Sequence, residues 1–183
     1  ATLAMVIHSA VHAATLVIGQ VAPLTGLEAI QGRAYSAGLQ LALDSANKAG
    51  GVAGHTFSLV RHDDSSRPED TMAQTQKLLA DAKPIALAGY FGNRNLTELI
   101  KTGLLDKEKI PLVGYRSTEL RGDVPYLYSV RAGLRDEVSR IAEHLVTVGV
   151  TRLGVFHEEG PGTAQLLAML DEVVKRTGAT ITV

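Results

Sequence analysis

Residues 16–32, LVIGQVAPLTGLEAIQG, constrain the fold more than any other stretch of this chain. Leu16 to Ala22 is an apolar run rich in β-branched side chains, short enough for a buried strand. A Pro-Leu-Thr-Gly turn breaks it, a polar loop follows, and an amphipathic run begins at Ile30. A strand that ends in an exposed loop and feeds a helix is one half of a β-α-β crossover. A chain that repeats this unit has few architectures open to it.

The unit does repeat. Tyr35, Leu39, Ala42, Leu43 and Ala46 fall at helical spacing, and Gly50-Gly51 follows where a left-handed cap is wanted. Thr56 to His62 reads as the second strand, ending in His62-Asp63-Asp64-Ser65-Ser66-Arg67-Pro68. Pro68, Glu69 and Asp70 suit the first turn of a helix that runs to about Ala82. Ile85 to Ala88 is a third strand, Gly89 to Arg94 its loop, and Asn95 with Glu98 resembles a capping box. Leu96, Leu99, Ile100 and Leu104 carry the next helix, and Ile110 to Gly114 is strand four, leading into Tyr115-Arg116-Ser117-Thr118. Tyr126 to Val130 is a further strand. Leu134, Val138, Ile141, Leu145 and Val148 mark a helix, and Arg152 to Phe156 a strand. Leu166, Leu167, Leu170, Val173 and Val174 mark a last helix, and Ile181 opens another strand. Strands joined by helices predict parallel pairing with right-handed crossovers: an α/β, doubly wound parallel sheet. Ligands of such sheets sit beyond the carboxyl ends of the strands, so the loops at 22–31, 89–95, 114–119 and 157–163 are the candidate binding edge.

A length of 183 residues allows one ordinary domain, or one and a fraction. A net charge of −1 provides no field to hold nucleic acid or an acidic membrane. The absence of cysteine removes thiol catalysis, thiolate metal sites and disulfides. Residues 1–13, ATLAMVIHSAVHA, are uncharged, and Val11-His12-Ala13 fits the small-x-small pattern before a signal-peptide cleavage, with Ala14 as the mature N-terminus. They are expected to be a signal-peptide remnant. They carry no basic n-region, and His8 interrupts the apolar run, so a cloning remnant or frayed terminus is the competing reading.

No phosphate loop, no complete dinucleotide fingerprint and no Gly-x-Ser-x-Gly elbow occurs. His157-Glu158-Glu159 has no second histidine at zinc-helix spacing. His62-Asp63-Asp64 offers cation ligands, but neighbours on an extended chain point apart, and acids ahead of a helix more often satisfy its free N–H groups. Asn93, Arg94, Ser117 and Thr118 differ from these. Hydroxyls and unpaired backbone N–H groups at a helix start suit a carboxylate ligand, although ordinary capping uses the same residues. No catalytic, metal or cofactor site is expected.

The order of motifs resembles the type I periplasmic substrate-binding proteins of ABC transporters, in the branched-chain amino-acid (leucine/isoleucine/valine) branch. The residues that carry the likeness are IGQVAPLTG, GLQLALDSANKAGGVAGHTFSLVRHDDSSRPEDT, LAGYFGNRNL, IPLVG, YSVRAGLRDE and HLVTVGVTRLGVFHEEGPG. The resemblance implies a type I ligand-binding lobe over residues 14–132 and the start of a second α/β lobe over 133–183, whose remaining strands this sequence does not contain. It implies closure of two lobes on a small ligand and its presentation to an ABC permease in the inner membrane. By position, Gly92, Asn93, Arg94, Tyr115, Ser117 and Thr118 match the family loops that hold the α-carboxylate and α-amino groups of an amino acid. The second of these loops is shorter here than the family's usual version, and Gly160-Pro161-Gly162 lacks the aromatic residue that usually precedes glycine there.

The expected function is therefore that of a periplasmic, non-enzymatic solute-binding protein for amino-acid transport, taking an amino acid or related small polar ligand and binding no nucleic acid. Two other readings stay open: a ligand-sensing module of a receptor or regulator with the same fold, and a doubly wound enzyme using His62, Asp63 or Glu158.

Overall fold

The computed structural model describes residues 14–117, 124–157, 159 and 163–182. They fall into two units, residues 14–117 with 124–130, and the described residues from Arg131 onward. The expected signal remnant, Thr118, and the Gly160-Pro161-Gly162 loop lie outside the described residues.

In the first unit the chain runs β1 (Thr15–Ala22), α1 (Ala29–Lys48), β2 (Thr56–Asp63), α2 (Pro68–Ala82), β3 (Ala86–Ala88), α3 (Asn93–Lys101), α4 (Leu104–Glu108), β4 (Leu112–Val113) and β5 (Leu127–Tyr128). All five strands pair in parallel in the order β2-β1-β3-β4-β5. This is the doubly wound parallel sheet that the alternation of strands and helices predicts. The apolar run in β1 is central because it has strands on both sides, and Val21 and Ala22 are fully buried. Side chains alternate across it: a Cβ on Gly19 would meet Leu78 of α2, whereas Gln20 reaches toward Gly89 beside Leu39 of α1. Leu78, Leu87, Leu99 and Leu112 form the fully buried apolar layer under α2 and α3.

Several local expectations are corrected. The expected strands at 85–88, 110–114 and 126–130 shorten to Ala86–Ala88, Leu112–Val113 and Leu127–Tyr128. The residues trimmed from them lie in the loops that flank the ladders. The helix expected through Leu104 breaks at Thr102-Gly103, and Leu104 and Leu105 are buried from the separate turn of α4. On α1 the buried positions are Ala29, Gly32 and Ser36, while Tyr35, Leu39, Leu43 and Ala46 are half-buried and Ala42 is exposed. Small residues win the closest contact because the helix backbone approaches the loop after β1 tightly. A Cβ on Gly32 would lie 2.1 Å from the carbonyl oxygen of Pro23.

The second unit contains α5 (Leu134–Thr147), β6 (Arg152–Gly154), α6 (Thr163–Arg176) and β7 (Thr180–Thr182), with β6 and β7 parallel. Its core is small: Ala142, Val174 and Ala179, with Val138, Val146, Leu153 and Ile181 packed against them. Ile141 and Val148, expected on the buried stripe, are each 59% exposed, and the strand expected to reach Phe156 ends at Gly154. Arg135 reaches Glu172 across α5 and α6 at 2.8 Å on the exposed side. Among the described residues no helix is long and apolar enough to cross a membrane.

Candidate functional site

The strand order reverses at β1, which has β2 on one side and β3 on the other. The chain leaves β1 for a helix on one face and leaves β3 for a helix on the other, so the two loops diverge at their carboxyl ends. This is the position at which open α/β sheets build binding sites. Three crests meet this edge: residues 23–28 after β1, 89–92 after β3 and 114–117 after β4.

The end of β2 ties down the first crest. Ala22 and Asp63 are register partners, so the Asp63 carboxylate lies beside the residue where the first crest begins. Its Oδ1 accepts from the backbone N–H groups of Leu24 (2.8 Å), Thr25 (3.1 Å) and Ser65 (2.9 Å), and the Thr25 hydroxyl donates to Oδ2. Partial burial pushes this carboxyl up, but the Thr25 hydroxyl and the Ser65, Leu24 and Thr25 N–H groups outweigh it and hold its pKa at about 2.

Asp64, one residue on, turns inward and is fully buried. Its Oδ1 accepts from Ser66 N–H at 3.0 Å; its Oδ2 accepts from the Thr71 hydroxyl at 2.8 Å and the Asn95 side-chain amide at 3.1 Å. Burial raises its pKa, the Thr71, Ser66 and Asn95 hydrogen bonds oppose that rise, and the Asp63 charge adds to it. The Asn95 amide also donates to the Thr71 hydroxyl at 2.7 Å. Tyr90 and Thr75 share a buried hydroxyl–hydroxyl bond of 2.9 Å, and burial pushes the Tyr90 phenol well above its ordinary value.

These contacts correct two sequence expectations. The acids ahead of α2 do not cap it: its N-cap is Arg67, with no side-chain cap bond, and Asp63 serves the β1 crest instead. Asn95 does not open a capping box. The helix starts two residues earlier, after Gly92, and Asn95 is buried in the Asp64 cluster. His62 faces α2, with its Nδ1 at 3.2 Å from the Gln74 carbonyl, and no metal-binding group of three acids or histidines forms among the described residues.

The second and third crests are laced together. Gly92 N–H donates to the Arg116 carbonyl (3.1 Å) and Arg116 N–H to the Tyr90 carbonyl (2.8 Å), so Phe91 and Arg116 pair like strand residues beyond the ladder. Gly92 has φ of 104°, a region that favours glycine, and sets the entry to α3. Of the residues expected at the site, Asn93 and Ser117 meet directly: the Ser117 hydroxyl donates to Asn93 Oδ1 at 2.9 Å. Tyr115 is buried. Arg94 is exposed on the first turn of α3. Arg116 lay in the expected loop without being singled out, and its guanidinium sits over the Phe91 ring, 5.5 Å from the centroid. The cue available in the sequence was its place between two residues of that loop. Behind the crests lies an apolar recess of about 360 Å³ between Tyr35, Gly38 and Leu39 of α1 and Ala88, Gly89 and Val113 of the sheet. The Tyr35 hydroxyl donates to the Gly114 carbonyl at its edge (2.9 Å).

The model of the periplasmic binding protein family matches residues 15–183. The chain belongs to that family. An amino acid binding protein of Pseudomonas aeruginosa is 37% identical over 78 residues, which is 43% of this chain and 21% of that protein. A Leu/Ile/Val-binding protein of Rhizobium johnstonii is 37% identical over 68 residues, 37% of this chain and 18% of that protein. The crystal structure of a substrate-binding periplasmic protein from Ralstonia solanacearum superposes with a TM-score of 0.75 at 31% identity, over 91% of this chain and 48% of that one. This member of the family thus spans about half the length of that solved relative. The superposed protein is a substrate-binding periplasmic protein by its description, and its fold is the one derived above from the alternation of strands and helices.

Proposed function

We propose that this chain is the crest-bearing part of an extracytoplasmic solute-binding protein that takes an amino acid or related small carboxylated ligand and delivers it to the permease of an ABC importer, without catalysis. The observation that carries the reading is the junction of the crests after β3 and β4. Gly92 opens α3 without a side-chain cap, and Asn93 and Ser117 stand hydrogen-bonded beside it. The first turn of a helix presents N–H groups and a positive dipole end, which favour a carboxylate. The names of the Pseudomonas and Rhizobium relatives support an amino acid as the ligand class. In this reading Gly92, Asn93, Ser117 and the adjoining Thr118 hold the ligand's carboxylate and amino groups, Arg94 adds positive charge at the rim, and Tyr115 backs the loop. A periplasmic location follows from the same role.

The test is a thermal-shift screen of the intact protein against the L-amino acids, their amides and small aromatic acids, with calorimetry on each hit. A true ligand at a hundred times its dissociation constant adds about 2.7 kcal/mol to stability. Binding that is lost on Asn93→Ala or Ser117→Ala supports the reading. No shift with any compound of the screen overturns it.

A further inference from the structure

We infer that the two adjacent aspartates at the end of β2 are positioning residues that divide the crests between them: Asp63 sets the crest after β1, and Asp64, acting through Asn95, sets the crest after β3. The inference rests on the functional reading above for what the crests bind, but its geometry stands apart from the ligand's identity.

Adjacent residues on an extended strand face opposite ways. Asp63 therefore stays on the outer side of the strand end and gathers Leu24, Thr25 and Ser65. Asp64 turns in, its own N–H donating to the Ala22 carbonyl at 3.2 Å, so the strand end is itself pinned to β1. From there its carboxylate meets Asn95, whose side chain lies directly beneath Gly92. A Cβ added at Gly92 would come within 3.3 Å of both Cγ and Oδ1 of Asn95. The path from a rigid strand end to the start of α3 is thus Asp64, Asn95, Gly92, with Thr71 bridging the first two. Because both acids sit on one two-residue segment, the distance between the crests is set by β2 rather than by the mobility of either loop. A buried carboxylate is costly unless every lone pair is used, and here it accepts three hydrogen bonds from three different segments.

Residue-resolved amide exchange on the intact protein tests this, using Asp64→Asn, Asn95→Ala, their combination, and Asp63→Asn. Asp64→Asn and Asn95→Ala should each speed exchange at Gly92 and Leu96 about tenfold, as expected for one lost hydrogen bond to a charged group. Neither should change Leu24, Thr25 or the α5–α6 core. The double variant should match the larger single effect, since both cut one path. Asp63→Asn should act on Leu24, Thr25 and Ser65 and leave Gly92 and Leu96 unchanged. Calorimetry with L-leucine reads the consequence: Asp64→Asn should weaken binding while the second crest loosens. Equal acceleration at both crests, or additive effects of Asp64→Asn and Asn95→Ala, overturns the division. A wild-type protein that ignores L-leucine but shows the expected exchange pattern upholds the division and counts against an L-leucine ligand.

Discussion

The hydroxyl of Ser117 and the side-chain oxygen of Asn93 are hydrogen-bonded at 2.9 Å across a sequence separation of 24 residues, which joins the loop after β4 to the first residue of α3. The bond orders two groups that the functional reading places against the ligand, so its removal should be felt in both stability and affinity. Ser117→Ala and Asn93→Ala should each cost about 1 kcal/mol. The double variant should cost less than the sum, because the two changes delete one shared bond. Denaturant unfolding of the four proteins measures the coupling.

Gly32 and Gly38 lie on the same helix and should respond oppositely to alanine. A Cβ at Gly32 would lie 2.1 Å from the Pro23 carbonyl oxygen, and backbone cannot move aside cheaply; at Gly38 nothing lies within 4 Å. Gly32→Ala should destabilise by about 2–3 kcal/mol as the helix and crest separate. Gly38→Ala should stabilise by roughly 0.5–1 kcal/mol from helix propensity. Melting temperatures of both variants check the pair.

Asn47 behaves as an extra strand partner. Its amide donates to the Phe57 carbonyl at 2.8 Å and its oxygen accepts from Phe57 N–H at 2.7 Å, closing the outer side of edge strand β2. Asn47→Leu leaves both backbone groups without that partner and should cost about 2 kcal/mol. Asn47→Asp keeps only the acceptor and should fall between. Exchange at the Phe57 amide should accelerate in the leucine variant and much less in the aspartate variant.

Asp63 and Asp64 make opposite contributions to acid stability. The folded pKa of Asp63 is lowered to about 2 from 3.8, so its stabilisation is present above the unfolded value and is lost as pH falls from about 4 through 2. Discounted for its contact with solvent, that contribution is on the order of 1 kcal/mol. The folded pKa of Asp64 is raised, so the folded state takes up a proton there more readily than the unfolded chain, and this term favours folding as pH falls. Asp63→Asn should therefore flatten the loss of stability between pH 4 and 2, whereas Asp64→Asn should not. Urea titrations at fixed pH steps measure both slopes.

The start of the helix at Pro68 and its approximate end near Ala82 were legible, because Pro in its first turn and the acids Glu69 and Asp70 behind it are local signals. Asn95 misled for the complementary reason. Asn followed by Glu three residues later carries the local signature of a cap, and nothing nearby reveals that Asp64, 31 residues earlier, accepts its amide. Arg116 was hidden in the same way, since its partner Phe91 belongs to another loop.

The amino-acid sequence by itself determined the alternation of strands and helices apart from the separate turn of α4, the parallel doubly wound sheet and the family. Each follows from short-range periodicity, turn residues and motif order along the chain. Only the tertiary structure decided that Asp63 accepts from the first crest and Asp64 from the Asn95 side chain, that α1 approaches through Gly32 and Ser36 rather than its leucines, and that the ladders of β4 and β5 stop after two residues. The physical reason is one of range. Periodicity tells which face of an element is apolar, whereas hydrogen-bond partners and closest approaches are chosen by elements that meet only after the chain has folded.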